Sequence, residues 1–199
     1  AKWQRDFGID IEHIDQLEIV RGAEKIDELK VQNALTWLEK NVSKISYDND
    51  KLTKEKLKTQ IRHYYATKEL ISKNNLDFIG VKCHEEMSSN YCTECLSAAF
   101  INDPYDFDGP KQPFVFACEA DSDGALTMQI LKLITSSPTL FMDLRHFNNE
   151  KNLYVFSNCG SQATYFASAS DDYKENLAKV SLEPADYFFK AGGAHVHYM

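Results

Sequence analysis

Between residues 112 and 145 the sequence passes from β-forming to helical chemistry and back again, and that order restricts the chain to an α/β arrangement. Residues 112–118 (QPFVFAC) are a short apolar run rich in β-formers, closing on a polar turn at 119–124 (EADSDG). Residues 125–135 (ALTMQILKLIT) are apolar on nearly every side, which predicts a buried helix capped by Ser122 or Asp123 and stopped before Pro138. Residues 139–142 (TLFM) are again apolar and run into Asp143-Leu144-Arg145. A βαβ unit of this kind is almost always a right-handed crossover between parallel strands. Glu119 and Asp143 are therefore expected at one carboxyl edge, where open α/β sheets hold their ligands.

The same alternation extends upstream and downstream. Val31, Ala34, Leu35, Leu38 and Val42 recur at helical spacing. Thr53 is the expected N-cap of a second helix, with Leu57, Ile61, Tyr64 and Ile71 on one face and an end near Asn74-Asn75. Residues 76–81 (LDFIGV) read as a strand closing on Lys82-Cys83-His84-Glu85-Glu86. A helix through residues 92–99 and a strand at 153–156 (LYVF), running into Ser157-Asn158-Cys159-Gly160, continue the series. The expected fold is α/β, a mostly parallel sheet with flanking helices in a Rossmann-like three-layer arrangement, with residues 1–170 as the domain that carries the acid pair.

Composition narrows the function classes. At 199 residues and 43% hydrophobic the chain can bury a substantial core. Its formal net charge of -8 argues against nucleic acid or an anionic membrane as partner, since either needs a basic face. No apolar stretch approaches the length of a membrane span, and the first residues, AKWQRDFGID, lack signal-peptide form, so a cytoplasmic location is expected. Cys83, Cys92, Cys95, Cys118 and Cys159 are an odd set without the dense spacing of a disulfide scaffold, and reduced thiols are expected.

Several constellations compete for chemistry. Glu119 and Asp143 read either as a pair that holds a cation and moves protons or as solvated strand ends that cap a helix. Asp121 and Asp123 beside Glu119 make the local field repulsive unless a cation or Arg145 neutralises it. The run from Glu119 imitates the start of an EF-hand loop, but its twelfth position is Ile130 where a bidentate Glu is required, so that reading fails. Cys83-His84 with Cys92 and Cys95 has zinc-site residue types without a standard interval, and buried free thiols are the better reading. His84-Glu85-Glu86 has no second His four positions on, which excludes a zinc-protease helix. His195 and His197 alternate as in a strand, so both imidazoles face one side, a geometry suited to a metal or to sugar hydroxyls. Neither GxGxxG nor GxxxxGK[ST] occurs, which argues against nicotinamide and ATP chemistry.

The residues Phe116-Ala-Cys-Glu119-Ala-Asp-Ser-Asp-Gly124-Ala-Leu-Thr-Met128, followed by Phe141-Met-Asp143-Leu-Arg145, resemble the core of the L-fucose isomerase family. The segments around Asp77–Cys83 with Glu86, and Phe156–Gly160, resemble two further segments of that family, with Asn158 standing where a His before Cys-Gly is usual. The resemblance implies an aldose-ketose isomerase dependent on Mn²⁺ (or Mg²⁺), with Glu119 and Asp143 as metal ligands that also handle protons. It further implies a sugar substrate touched by Glu86, Arg145, Asn158, His195 and His197, and a homo-oligomer, trimeric or hexameric. Family members are longer, so the chain is expected to be a central portion, with residues 171–199 leading toward a C-terminal domain it does not contain. The alternative is a non-catalytic sugar- or cation-binding α/β domain.

Overall fold

The computed structural model describes residues 2–186 and 188–199. Its helices are α1 (Lys2–Phe7), α2 (Leu17–Ala23), α3 (Glu28–Asn41), α4 (Lys54–Lys73), α5 (Glu86–Asn90), α6 (Cys95–Asn102), α7 (Ser122–Thr135) and α8 (Tyr173–Leu177). The strands are β1 (Lys44–Ile45), β2 (Phe78–Val81), β3 (Tyr105–Asp106), β4 (Gly109–Pro110), β5 (Val115–Cys118), β6 (Asp143–Asn148), β7 (Leu153–Ser157), β8 (Val180–Pro184) and β9 (Ala194–Tyr198).

The class is mixed α/β, as the alternation predicts. Among the described residues, however, the strands form four small sheets rather than one mostly parallel sheet. β2 pairs in parallel with β5, and β1 in parallel with β8, while β8–β9, β3–β4 and β6–β7 are antiparallel. The parallel crossover from β5 through α7 to a strand at 139–142 is not formed. Those residues are irregular, and the next strand begins only at Asp143. β6 then folds back on β7, because the polar run after Phe147 is a turn. Asn148 Oδ1 accepts from the Lys151 amide at 2.9 Å, and Asn152 takes a φ of +51°. Asp143 therefore stands at the start of a hairpin strand, not at the carboxyl end of a parallel one.

α4 is the centre of the core. Thr53 caps it, its side chain accepting from the Lys56 amide at 3.2 Å, and Asn74 closes it as the C-cap. Leu57, Ile61 and Tyr64 are fully buried against Leu35 and Leu38 of α3, capped by Asp27, and against Leu96 and Phe100 of α6. Trp37 stacks on Tyr173 at 5.7 Å and meets Phe100 and Phe107 edge-on. Leu177, Val180, Leu182, Ala194 and Val196 belong to the same core as α3, α4 and α6.

α7 departs from its expected burial. It is capped by Asp121, which accepts from the Gly124 amide at 2.9 Å, rather than by Ser122 or Asp123. Only Ala125 and Met128 are buried, against Val115 and Ala117, while Ile130, Leu131, Leu133 and Ile134 are exposed. Leu144, Phe147, Leu153, Tyr154 and Phe156 of the hairpin are exposed as well. A helix that is apolar all round needs neighbours on every side, and here one face is covered. No helix among the described residues is long and apolar enough to cross a membrane.

Candidate functional site

β5 carries the chain from the apolar interior to Glu119. The turn that follows puts Glu119 (φ +61°) and Ala120 (φ +53°) consecutively in the left-handed region. For residues with a Cβ this costs roughly 1–2 kcal/mol each, and such strain gathers at functional sites. The paired strand accommodates the turn by having no side chain at Gly80, where a Cβ would lie 3.1 Å from Ala120 Cα. The close approach of β2 to this turn fixes where the exposed Glu119 begins.

Arg145 reaches the same region from the hairpin. Pairing across β6–β7 slips between Leu144 and His146, leaving Arg145 in a bulge. Bulges re-aim the side chain they carry. Arg145 Nε donates to Ser157 Oγ at 2.6 Å, and its Nη2 lies 3.2 Å from Asp143 Oδ2. Both members of this pair are about half exposed, so the contact orients them more than it stabilises the fold.

Glu119 and Arg145 line one cleft of about 900 Å³, together with Cys83, His84, Glu85, Cys118 and Cys159. Phe188 and Phe189 form part of its apolar wall. All five cysteines are free thiols. Burial pushes the Cys83 thiol up to about 12. Cys118 is raised too, first by its hydrogen bond with Cys159 and then by burial. These sulfurs are uncharged near neutral pH, and the ionic chemistry of the cleft belongs to its carboxylates, Arg145 and the lysines Lys51 and Lys190.

The other sequence-predicted residues divide. Glu86 lines a neighbouring cleft of about 890 Å³ floored by the N-terminal loop, and pairs with Lys82 at 3.1 Å. Asn158 is a loop bracket: its Oδ1 accepts from the amides of Gly160 and Ser161 at 2.9 and 2.8 Å, and its Nδ2 donates to the Phe141 carbonyl at 3.0 Å. It thus ties the hairpin's exit to its entry. His195 and His197 do share a face of β9, their rings 6.3 Å apart and nearly parallel, but only His197 is exposed. His195 is buried against Phe189 at 5.0 Å, and burial pushes its imidazole down to about 4.

His84 and Glu85, from the polar run that closes β2, and Cys118 at the end of β5 line the cleft as well, each following or ending a strand. Lys51 and Lys190 also line it, with no such position to mark them. Of the two clefts, the one lined by Glu119 and Arg145 brings together carboxylates, a guanidinium, an imidazole and thiols, the convergence that marks a chemical site.

No protein-family model matches the chain. It is similar to the L-fucose isomerase of Streptococcus pneumoniae (strain Hungary19A-6), 25% identical over 170 residues, covering 73% of this chain and 29% of that protein. It is similar as well to sulfoquinovose isomerases: that of Clostridium sp. (strain MSTE9), 26% identical over 89% of this chain and 36% of that protein, and that of Alkalicoccus urumqiensis, 24% over 79% and 33%. Its distant relatives are sugar isomerases. The chain spans about a third of the length of the curated relatives it matches.

Proposed function

We propose that this chain is the portion of an aldose-ketose sugar isomerase that supplies the acid pair Glu119 and Asp143. The observation that carries the reading is the arrangement around Arg145, which lines the cleft with Glu119 while holding Asp143 at 3.2 Å. Similarity to two kinds of sugar isomerase supports it.

Aldose-ketose conversion moves a proton between adjacent carbons through an enediol. Glu119 takes the proton from the carbon beside the carbonyl and returns it to the neighbouring carbon. Asp143 exchanges the proton that the two oxygens trade, and Arg145 fixes its rotamer and offsets its charge. Two carboxylates are hard oxygen donors, which suits Mn²⁺ or Mg²⁺ in kind, and Glu119 and Asp143 would hold the ion with further ligands from outside the pair. When bound, that cation supplies Lewis-acid stabilisation of the charge that develops on the sugar oxygens. Asn158 keeps the 157–161 loop against the hairpin, and His84 is the exposed imidazole that lines the cleft.

The test is conversion of L-fucose, D-arabinose and sulfoquinovose by the intact protein, with and without added Mn²⁺. Metal-dependent ketose formation from one of them is expected. Sugar affinity without conversion would instead favour a non-catalytic binding domain.

A further inference from the structure

A second group of metal-type side chains lies away from this cleft, on the inner face of α4. His63 points from α4 toward the segment that precedes α6, where Cys92 and Glu94 stand two residues apart. One ligand atom from each of the three lies within 4.8 Å of the others. All three are interior: His63 and Glu94 are 2% exposed and Cys92 is 0% exposed. His63 Nδ1 and Glu94 Oε1 are 2.6 Å apart, while Glu94 Oε2 is buried with no hydrogen-bond partner among the described residues. A buried carboxylate oxygen left unpaired costs about 1–3 kcal/mol or more, so its retention in the core calls for a cause.

We propose that His63, Cys92 and Glu94 form a three-ligand zinc site in the core. One imidazole, one thiolate and one carboxylate are a donor set suited to Zn²⁺ rather than to a hard cation, and their summed charge matches the ion's, so the filled site is neutral in the interior. Tetrahedral zinc with N and O ligands at about 2.0–2.2 Å separates those atoms by about 3.3 Å. The His63–Glu94 pair therefore parts by several tenths of an ångström on binding, and the free Glu94 oxygen is the one in reserve. A water completes the tetrahedron. On binding, the Cys92 S–H bond breaks, its electron pair goes to the metal and its proton to solvent.

The surroundings are built to hold such a centre. Gln60, one turn before His63, donates to the Thr93 carbonyl at 3.0 Å and to Thr93 Oγ1 at 2.8 Å. Its own Oε1 accepts from the Ala194 amide at 2.6 Å. The residue between the two loop ligands is thus clamped to the helix that bears the third, and His63's carbonyl accepts from Thr67 at 2.8 Å. Zinc here would join α4 to the start of α6.

The experiment is elemental analysis of the protein purified from zinc-supplemented culture and again after refolding with ZnCl₂, followed by Co²⁺ substitution. One zinc per chain is expected, with an intense thiolate-to-cobalt absorption band. Both should persist in a Glu119→Gln, Asp143→Asn variant and be lost in Cys92→Ala, whose small apolar side chain leaves the fold intact by circular dichroism. Absence of zinc and of the cobalt band in the wild-type chain would overturn the site, a result that requires no variant to fold. Zinc retained in full by Cys92→Ala would overturn it equally, by assigning the metal to the other thiols.

Discussion

Asp143 Oδ2 and Arg145 Nη2 lie 3.2 Å apart on one strand, and they meet because Arg145 occupies a bulge. In a regular strand these residues would merely share a face. The bulge turns Arg145 so that it also takes Ser157 from the partner strand and reaches the cleft that Glu119 lines. The hairpin irregularity, rather than a parallel sheet edge, thus links Asp143 through Arg145 to the cleft that Glu119 lines. Replacing Arg145 with Met should leave folding stability within about 0.5 kcal/mol, since both partners are half exposed. On the proposed reading, isomerase turnover should fall at least tenfold as Asp143 loses its fixed rotamer. Kinetics beside a urea titration would check both parts.

Asp103 offers a sharper stability prediction. It follows α6 and accepts from the Thr164 amide and hydroxyl at 3.1 and 2.6 Å and from the Tyr165 amide at 2.8 Å. This clamp holds the turn after the Cys159 loop against the core. Asp103→Ala strands the buried Thr164 amide and hydroxyl and the partly buried Tyr165 amide, and should cost about 2–4 kcal/mol in urea unfolding. A loss below about 0.5 kcal/mol would show that the turn is anchored by other means.

Gly160 has a φ of +118°, and a Cβ there would come within 2.6 Å of His195 Cβ. Both backbone conformation and space reject a side chain. Gly160→Ala should destabilise by about 2 kcal/mol or more, read as a drop in melting temperature, whereas Gly8→Ala, with nothing within 4 Å, pays only for its left-handed backbone.

Stability should also depend on pH through His195. Burial pushes its imidazole from the ordinary 6.5 down to about 4. Between those values the unfolded chain binds a proton that the folded one refuses. The contribution is therefore complete above about pH 6.5 and is lost as pH falls toward 4, by about 3 kcal/mol at most. Urea titrations across that window should show stability falling on acidification, and His195→Gln should flatten the curve. Parallel curves for both proteins would contradict this.

The legible part of the sequence was local. Helical spacing of Leu57, Ile61 and Tyr64 with Thr53 before them located α4, and apolar runs located β2 and β5, because burial periodicity and capping are written in adjacent residues. Pairing was not legible. Residues 139–142 are as apolar as a strand, yet the strand begins only after them, at Asp143, where the turn chemistry from Asn148 to Asn152 sets a hairpin register. For the cleft, the position of Glu119 just past the end of β5 is legible in the sequence. The cleft that joins it to Arg145 and His84 depends on a bulge and a left-handed turn, which leave no mark on hydrophobic pattern. The exposed apolar face of α7 likewise could not be separated from a buried one by composition alone.

The central claim is that Glu119 moves the proton. The most direct measurement is isomerisation by the intact protein with Glu119→Gln beside the wild type, followed both as ketose formation and as uptake of solvent deuterium at the sugar carbon next to the carbonyl. The account predicts that Glu119→Gln folds like the wild type and loses at least about 10²-fold in both rates. Deuterium uptake within a few-fold of wild type would contradict it and remove Glu119 from the chemistry.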